Sequence, residues 1–294
     1  MMFANFSSIQ YLLADKSTEQ ILLGTIQSSP SALDAACILA SVHRTSNQGT
    51  AANNPEASEH FSRVRRNLVG KLRLNEGDAM AGLQVVSWVL FQGGKGQWQE
   101  FLHIACRYAY GVLWHPKYRG PQDALMRCGE TTRFIVKTSM WFDVLASATR
   151  IDVPIFIEVY RKLFDPNSAH IDGSFSSVPK ELSMLPVMGC ENHIVWALSE
   201  ISALACWKES QNSKGSLSTP ELVERGKKIE EHIMPPASLP MYNNELEQAR
   251  ILTSQVFRAS ARVYLHSVLS GDHSSCKEIA DGVTDAICWL QKVP

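Results

Sequence analysis

The chain holds 294 residues, 45% of them apolar, enough to build a sizeable core without disulfide or metal staples. Its 28 basic and 29 acidic side chains nearly cancel, so no global charge draws it to nucleic acid or an anionic membrane, and DNA binding would need a concentrated local patch. The apolar runs, such as residues 85–91, stop far short of the ~20 residues that span a bilayer.

The opening stretch, MMFANFSSIQYLLADK, lacks a basic segment and meets Asp15 too early for a secretory leader. Ser17, Thr18, Glu19 and Gln20 have the spacing of a capping box and lead into Ile21, Leu22 and Leu23. Pro30 opens a second helix with Leu33, Cys37 and Ala40 on one face. Residues 46–58, rich in Asn, Ala, Gly and Pro, predict a loop. Beyond it, Phe61, Val64, Leu68 and Leu72 form a helical stripe. Arg63, Arg65, Arg66, Lys71 and Arg73 decorate the remainder, which reads as a solvated face in preference to a phosphate patch or import signal. Residues 82–91 and 98–114 flank Gly93, Gly94, Lys95 and Gly96, a helical hairpin closed by a glycine turn. These glycines lack the preceding strand and the G-x-x-x-x-G-K-[ST] spacing of a nucleotide loop.

Residues 133–150 place Phe134, Thr138, Trp141, Leu145 and Ala148 on one helix face and leave Asp143 among polar neighbours. Asp152 and Pro154 start a further helical segment to Phe164, and residues 165–180 read as a long loop. The stretch that organises the chain is 185–209. Ile194, Ala197, Leu198, Ile201, Leu204 and Ala205 share one face, Pro186 and Gly189 punctuate the approach, and Asn192 is placed to cap the first free amides. A polar connection over 210–219 leads to Thr219 and Pro220, cap and first helical position of the next helix, which Pro235 and Pro236 end. Two last helices, over 246–269 and 278–292, carry Leu252, Val256, Ala259 and Val263, then Ile279, Val283, Ile287 and Leu290. No alternating run is long enough for a sheet. The predicted fold is all-α, about ten or more packed helices in a single domain over residues 1–294, with no fixed-period repeat.

Candidate chemistry is sparse. Seven cysteines, odd in number and without a C-x-x-C pair, fit a reducing compartment; five of them, Cys37, Cys106, Cys190, Cys206 and Cys288, lie in or beside apolar helical patterns where small buried thiols are common. Nine histidines include no pair spaced to put two metal ligands on one helix face, so no metal and no cofactor is expected. There is no nucleophile elbow and no doubled-aspartate magnesium cluster. Asp143 and Glu200 are general acid or base candidates if they share a cavity. The seven tryptophans either pack the core or line an apolar ligand cavity.

Three stretches carry a family resemblance: Met140, Trp141, Phe142, Asp143, Val144 and Leu145; then Met188, Gly189 and Cys190 followed by residues 194–204; and finally residues 261–266, with Tyr264 and His266, together with Gly271, Asp272 and His273. Together they resemble the regulatory domain of fungal zinc-cluster transcription factors, in the second of the two large fungus-specific families. The resemblance covers most of the chain and implies a helical domain that follows a six-cysteine zinc cluster and links DNA binding to activation, sometimes by sensing a metabolite. The seven cysteines here, scattered from Cys37 to Cys288, do not form that cluster, so the chain is expected to lack the DNA-reading module. The family supplies no universal catalytic residues, and a non-enzymatic, nuclear regulator is expected. A helical enzyme with a tryptophan-lined cavity and a purely structural scaffold are the alternatives.

The partners this implies are a small-molecule effector, the transcription machinery or another transcription factor, and a second copy of the chain as candidate dimer partner. Direct DNA binding should be weak or absent, and no membrane is involved. Trp141 and Trp196 fall on the apolar faces of the two helices that carry the resemblance and are expected to meet inside the domain. With Asp143 and Glu200 they form the candidate ligand-binding set.

Overall fold

Side chains that recur every three or four positions can bury one face only as helices, and helix is the regular element of this protein. The computed structural model describes residues 16–48, 55–94, 96–166, 178–234, 242, 244–271, 273 and 275–293, and among them are thirteen helices and no strand. They are α1 (Lys16–Ser28), α2 (Pro30–Gln48), α3 (Pro55–Leu68), α4 (Glu76–Phe91), α5 (Gln99–Leu113), α6 (Pro121–Arg127) and α7 (Glu130–Arg150). After these come α8 (Ile157–Phe164), α9 (Leu185–Met188), α10 (Asn192–Ser213), α11 (Thr219–Glu230), α12 (Glu245–Ser270) and α13 (Lys277–Leu290). None of the helices described is long and apolar enough to cross a membrane. The all-α expectation therefore holds. The chain divides into two compact units, Met1–Phe142 and Asp143–Pro294, and α7 runs from one into the other.

In the first unit α4 is apolar nearly all round, with buried residues from Gly77 through Val89, and it packs against α1, α2, α3 and α5. Its start is fixed by a capping box: Asn75 Oδ1 accepts from the Asp78 N–H at 2.9 Å, and the Asp78 carboxylate accepts from the Asn75 N–H at 3.0 Å. Trp88 packs against the cluster of Ile26, Ala36 and Leu39, and its ring stands 5.5 Å from that of Phe61. Trp88 is thus core packing. The α4–α5 pair is the expected hairpin, and Gly93 and Gly94, at φ +84° and +75°, adopt the left-handed turn that a side chain would resist. The basic stripe is largely neutralised inside the unit: Arg63 meets Asp34 and Glu59, Arg65 meets Glu100, and Lys71 meets Asp78. The expected 46–58 loop is shorter in its described part, because α2 runs to Gln48 and α3 begins at Pro55. The expected capping box at Ser17 falls inside α1, which already begins at Lys16, and the leader reading falls on residues outside those described.

In the second unit α10 takes the central place, packed against α8, α11 and α12, while α12 also packs on α9, α11 and α13. The approach that Pro186 and Gly189 punctuate is itself one short helix ahead of the main one. Gly189, at φ 63° and ψ 24°, ends the short α9, and α10 starts only at Asn192. Asn192 does not cap it. Its Oδ1 accepts from the Met184 N–H at 2.8 Å and its Nδ2 donates to the Leu182 carbonyl at 3.1 Å, so it ties down the incoming loop, and Glu191 holds the cap position. Residues 210–213, read as connection, continue α10 until Gly215 at φ +65° closes it, with the Ser216 N–H bonded back to the Gln211 carbonyl. Ser218, one residue earlier than expected, caps α11. The helix read from Asp152 and Pro154 begins at Ile157, and most of the 165–180 loop lies outside the described residues.

Gly82 lets α4 approach α5 closely, since a Cβ there would stand 2.6 Å from the Phe101 carbonyl oxygen, whereas a Cβ at Gly24 on α1 would meet nothing within 4 Å. Gly82→Ala should therefore cost about 1–3 kcal/mol through enforced separation of the two helices. Gly24→Ala should be neutral or stabilise by up to about 1 kcal/mol, as a helix-propensity gain. Urea denaturation of the two variants checks the contrast, and equal effects would contradict it.

Candidate functional site

The turn at Gly189 places Cys190 and Glu191 inside the second unit, and Glu191 becomes the centre of a buried polar cluster. Ser254 and Arg258, four apart on α12 and therefore on one face, both reach it. The Glu191 N–H donates to Ser254 Oγ at 3.1 Å, the Ser254 hydroxyl donates to Glu191 Oε2 at 3.1 Å, and Arg258 Nη2 donates to the same carboxylate oxygen at 3.1 Å. Arg258 Nη2 also lies 3.0 Å from His193 Nε2, and Nη1 donates to the Met234 carbonyl at 2.9 Å. With 7% of its side chain exposed, Arg258 is a nearly dry charge.

Burial dominates the electrostatics. It pushes the Glu191 carboxyl up, against the pull of Arg258 and the Ser254 hydroxyl, and it lowers the Arg258 guanidinium against the pull of Glu191. The Cys190 thiol goes well above its ordinary value for the same reason and stays an inert neutral group. His193 is pushed down to about 3, by burial first and then by the neighbouring charge of Arg258, so it is neutral with Nε2 free to accept from the guanidinium. Beside it, Trp196 meets His232 edge-on, ring centroids 5.2 Å apart.

The two candidate carboxylates are both engaged by donors of their own chain. Asp143 accepts from the Ile155 and Phe156 N–H groups, each at 3.1 Å, and from the Tyr160 hydroxyl at 3.3 Å. It ties the loop that precedes α8, and burial pushes its carboxyl up to about 6 although those three donors hold it back. Glu200 on α10 receives a two-pronged contact from Arg161, Nε to Oε1 at 2.6 Å and Nη2 to Oε2 at 3.0 Å. Asp143 and Glu200 thus grip consecutive residues of α8. Trp141, 7% exposed, belongs to the first unit, and Trp196, 8% exposed, to the second. None of the four lines the cleft of about 420 Å³ that lies in the first unit beside Tyr108 and Thr132.

The remaining residues that carry the resemblance also bind their own fold. The Tyr264 hydroxyl donates to Ser202 Oγ at 3.4 Å, His266 Nε2 lies 2.9 Å from Glu230, and Gly271 at φ +81° ends α12. The sequence reading passed over the Glu191–Arg258 pair. Its signal was a long cationic side chain at position 258, adjoining the apolar stripe of Leu252, Val256 and Ala259 where a solvated charge has no place. Among the described residues no group of three or more His, Cys, Asp and Glu side chains is arranged to hold a metal ion.

This is the polar skeleton of a regulatory helical domain, and the chain belongs to the fungal specific transcription factor domain family, whose pattern it matches over residues 3–294. The curated relatives it resembles are named as transcription regulators. One is the ustiloxin B cluster transcription factor of Aspergillus flavus, 25% identical over 166 residues, which are 53% of this chain and 26% of that protein. Another is the trichothecene biosynthesis transcription regulator of Fusarium sporotrichioides, 27% identical over 128 residues, 42% of this chain and 28% of the relative. A third is a transcription factor of Diaporthe leptostromiformis, 28% identical over 190 residues, 52% of this chain and 30% of the relative. The chain therefore spans less than a third of the length of each of these relatives. No solved structure matches it.

His193 sets a testable pH dependence. Its folded value of about 3 lies below the ordinary 6.5, so the stability it contributes is complete above pH 6.5 and is lost as pH falls toward 3. Asp143, raised from 3.8 to about 6, acts with the opposite sign: its contribution is complete below 3.8 and is lost as pH rises through 6. Gln at position 193 can still accept from Arg258 and does not titrate. Over the window from pH 6.5 toward 3 the urea midpoint of the natural chain should consequently fall more steeply than that of His193→Gln, and parallel slopes would refute this assignment.

Proposed function

We propose that this chain is the regulatory module of a fungal transcription regulator, its two units working as one domain, and that it acts in the nucleus without catalysing a reaction. What supports this above all is the family match, which runs through both units from residue 3 to residue 294. The names of the relatives point the same way, and so does the engagement of Asp143 and Glu200 by donors of their own chain, which leaves neither as a free acid or base. Sequence-selective DNA contact belongs, in this reading, to a separate zinc-cluster module. The helical domain supplies the response to a small-molecule effector or to a protein partner, whether the transcription machinery, another regulator or a second copy.

Trp141, Asp143, Trp196 and Glu200 remain the proposed effector contacts. Both indoles are buried, and an effector that reached Asp143 or Glu200 would displace the bonds to Tyr160 or Arg161 and so loosen α8. That exchange of partners would turn binding into a change of shape.

The test joins the chain to a heterologous sequence-specific DNA-binding domain in a fungal host and follows a reporter with the matching sites upstream. Reporter output should move well away from that of the DNA-binding domain alone, and Gly82→Ala should reduce the difference in proportion to lost folded protein. A folded, nuclear fusion with no effect on the reporter would overturn the proposal.

A further inference from the structure

We propose that the cleft of the first unit binds a small amphipathic organic anion, a carboxylate carried on a flat apolar or aromatic body. The cleft measures about 420 Å³ and is formed by the 70–74 crossing, the C-terminal half of α5 with the turn that follows it, and the start of α7. That volume is in the range of small-metabolite sites.

Its α5 side is kept bare. Gly111 lies inside α5, where glycine costs up to about 1 kcal/mol relative to alanine, and its backbone is not in the left-handed region that would demand glycine. A Cβ at Gly111 would meet nothing within 4 Å, and the same holds at Gly129, which also lines the cleft. Gly82, Gly226 and Gly282, by contrast, each have a neighbour pressed into the missing Cβ position. Gly129 stands in the turn that opens α7, its carbonyl accepting from the Arg133 N–H, and needs no further account; neither turn geometry nor close packing accounts for Gly111. It leaves the α5 backbone open along the cleft.

Its charge points to an anion. Arg107, one helical turn before Gly111, has as its hydrogen bond a long 3.4 Å contact to the Leu72 carbonyl, and Lys117 is held with its ammonium 4.7 Å from the Tyr118 ring centroid. Among the described residues neither has a carboxylate partner, whereas Arg63, Arg65, Lys71 and Arg127 of the same unit all do. The Tyr108 and Cys128 side chains of the lining are neutral, and one carboxylate, that of Glu76, stands behind the lining residue Thr132. Burial pushes the Tyr108 phenol up to about 12 and raises the Cys128 thiol, and the nearby Glu76 carboxylate already accepts the Thr132 hydroxyl. Two cations without a carboxylate partner outnumber the one nearby carboxylate, Glu76, and with the aromatic rings of Tyr108 and Tyr118 they complement a carboxylate on a flat body. The exposed Leu72 and the half-buried Leu74 supply an apolar lip.

This cleft is separate from the effector contacts proposed above, none of which lines it; the inference rests on the regulatory reading only for its biological consequence, and the binding itself can be measured without a reporter. The probe is 2-naphthoate, titrated calorimetrically into the 294-residue chain, with 2-naphthol and 2-naphthylmethylamine as neutral and cationic counterparts. Naphthoate should bind saturably at one site, at least about tenfold more tightly than either counterpart. Joint substitution of the two exposed cations, Arg107→Gln with Lys117→Gln, should erase that preference. Gly111→Leu, which adds a side chain at a lining position and is a good helix former, should abolish binding while leaving thermal unfolding at or above that of the natural chain. Absence of saturable binding, equal binding of all three probes, or binding that survives Gly111→Leu and the paired substitution would overturn the site. A reporter fusion that works without naphthoate binding would fault the site alone; naphthoate bound by a chain whose fusion is silent would support the site and fault the regulatory reading.

Discussion

A guanidinium taken out of water needs acceptors for its N–H donors, and the two terminal nitrogens of Arg258 find three, on two segments of the second unit, while its Nε is buried without one. One is the Glu191 carboxylate at the turn before α10, one is His193 in the first turn of that helix, and one is the Met234 carbonyl beyond α11. Arg258 itself rides on α12, so a single buried side chain ties that helix to both segments. An apolar residue could fill the same space and even add stability, but it would fix no relative position of those segments. The loss of only one partner strands a charge, at about 3–5 kcal/mol. Position, more than net energy, is what the pair contributes.

The same logic runs through the rest of this unit. Asp143 closes the amides ahead of α8, Glu200 holds Arg161 on the next residue of that helix, Asn192 ties the loop before α9, and Tyr264 and His266 bind Ser202 and Glu230. The polar residues Asp143, Glu200, Tyr264 and His266, which belong to the stretches that resemble the family, are thus found bonding to their own fold.

The helices were legible because burial imposes a period, and a stripe such as Ile194, Leu198 and Ile201 has no other economical explanation. What periodicity cannot convey is which polar group faces which. Asn192 looked like a cap because it stands at the start of a stripe, yet the chain bends at Gly189 and turns its amide toward the preceding loop. Asp143 looked solvent-facing on its own helix, but amides contributed from twelve and thirteen residues further on enclose it. Arg258 was invisible for the same reason, its partners lying more than sixty residues earlier in the chain and at Met234. Gly111 was passed over within an apolar stripe, and only the empty space beside it shows that the omission of a side chain there has no packing cause.

The claim on which this account most depends is that Glu191 and Arg258 act as one buried unit, and a double-mutant cycle measures it directly. Glu191→Gln, Arg258→Met and the double variant would be compared with the natural chain by urea denaturation at neutral pH. The account predicts that each single change costs about 3–5 kcal/mol, and that the double costs less than their sum by about 1–3 kcal/mol, because neither charge is then left stranded. Costs that add to within about 0.5 kcal/mol would mean the two side chains do not act together, and would contradict it.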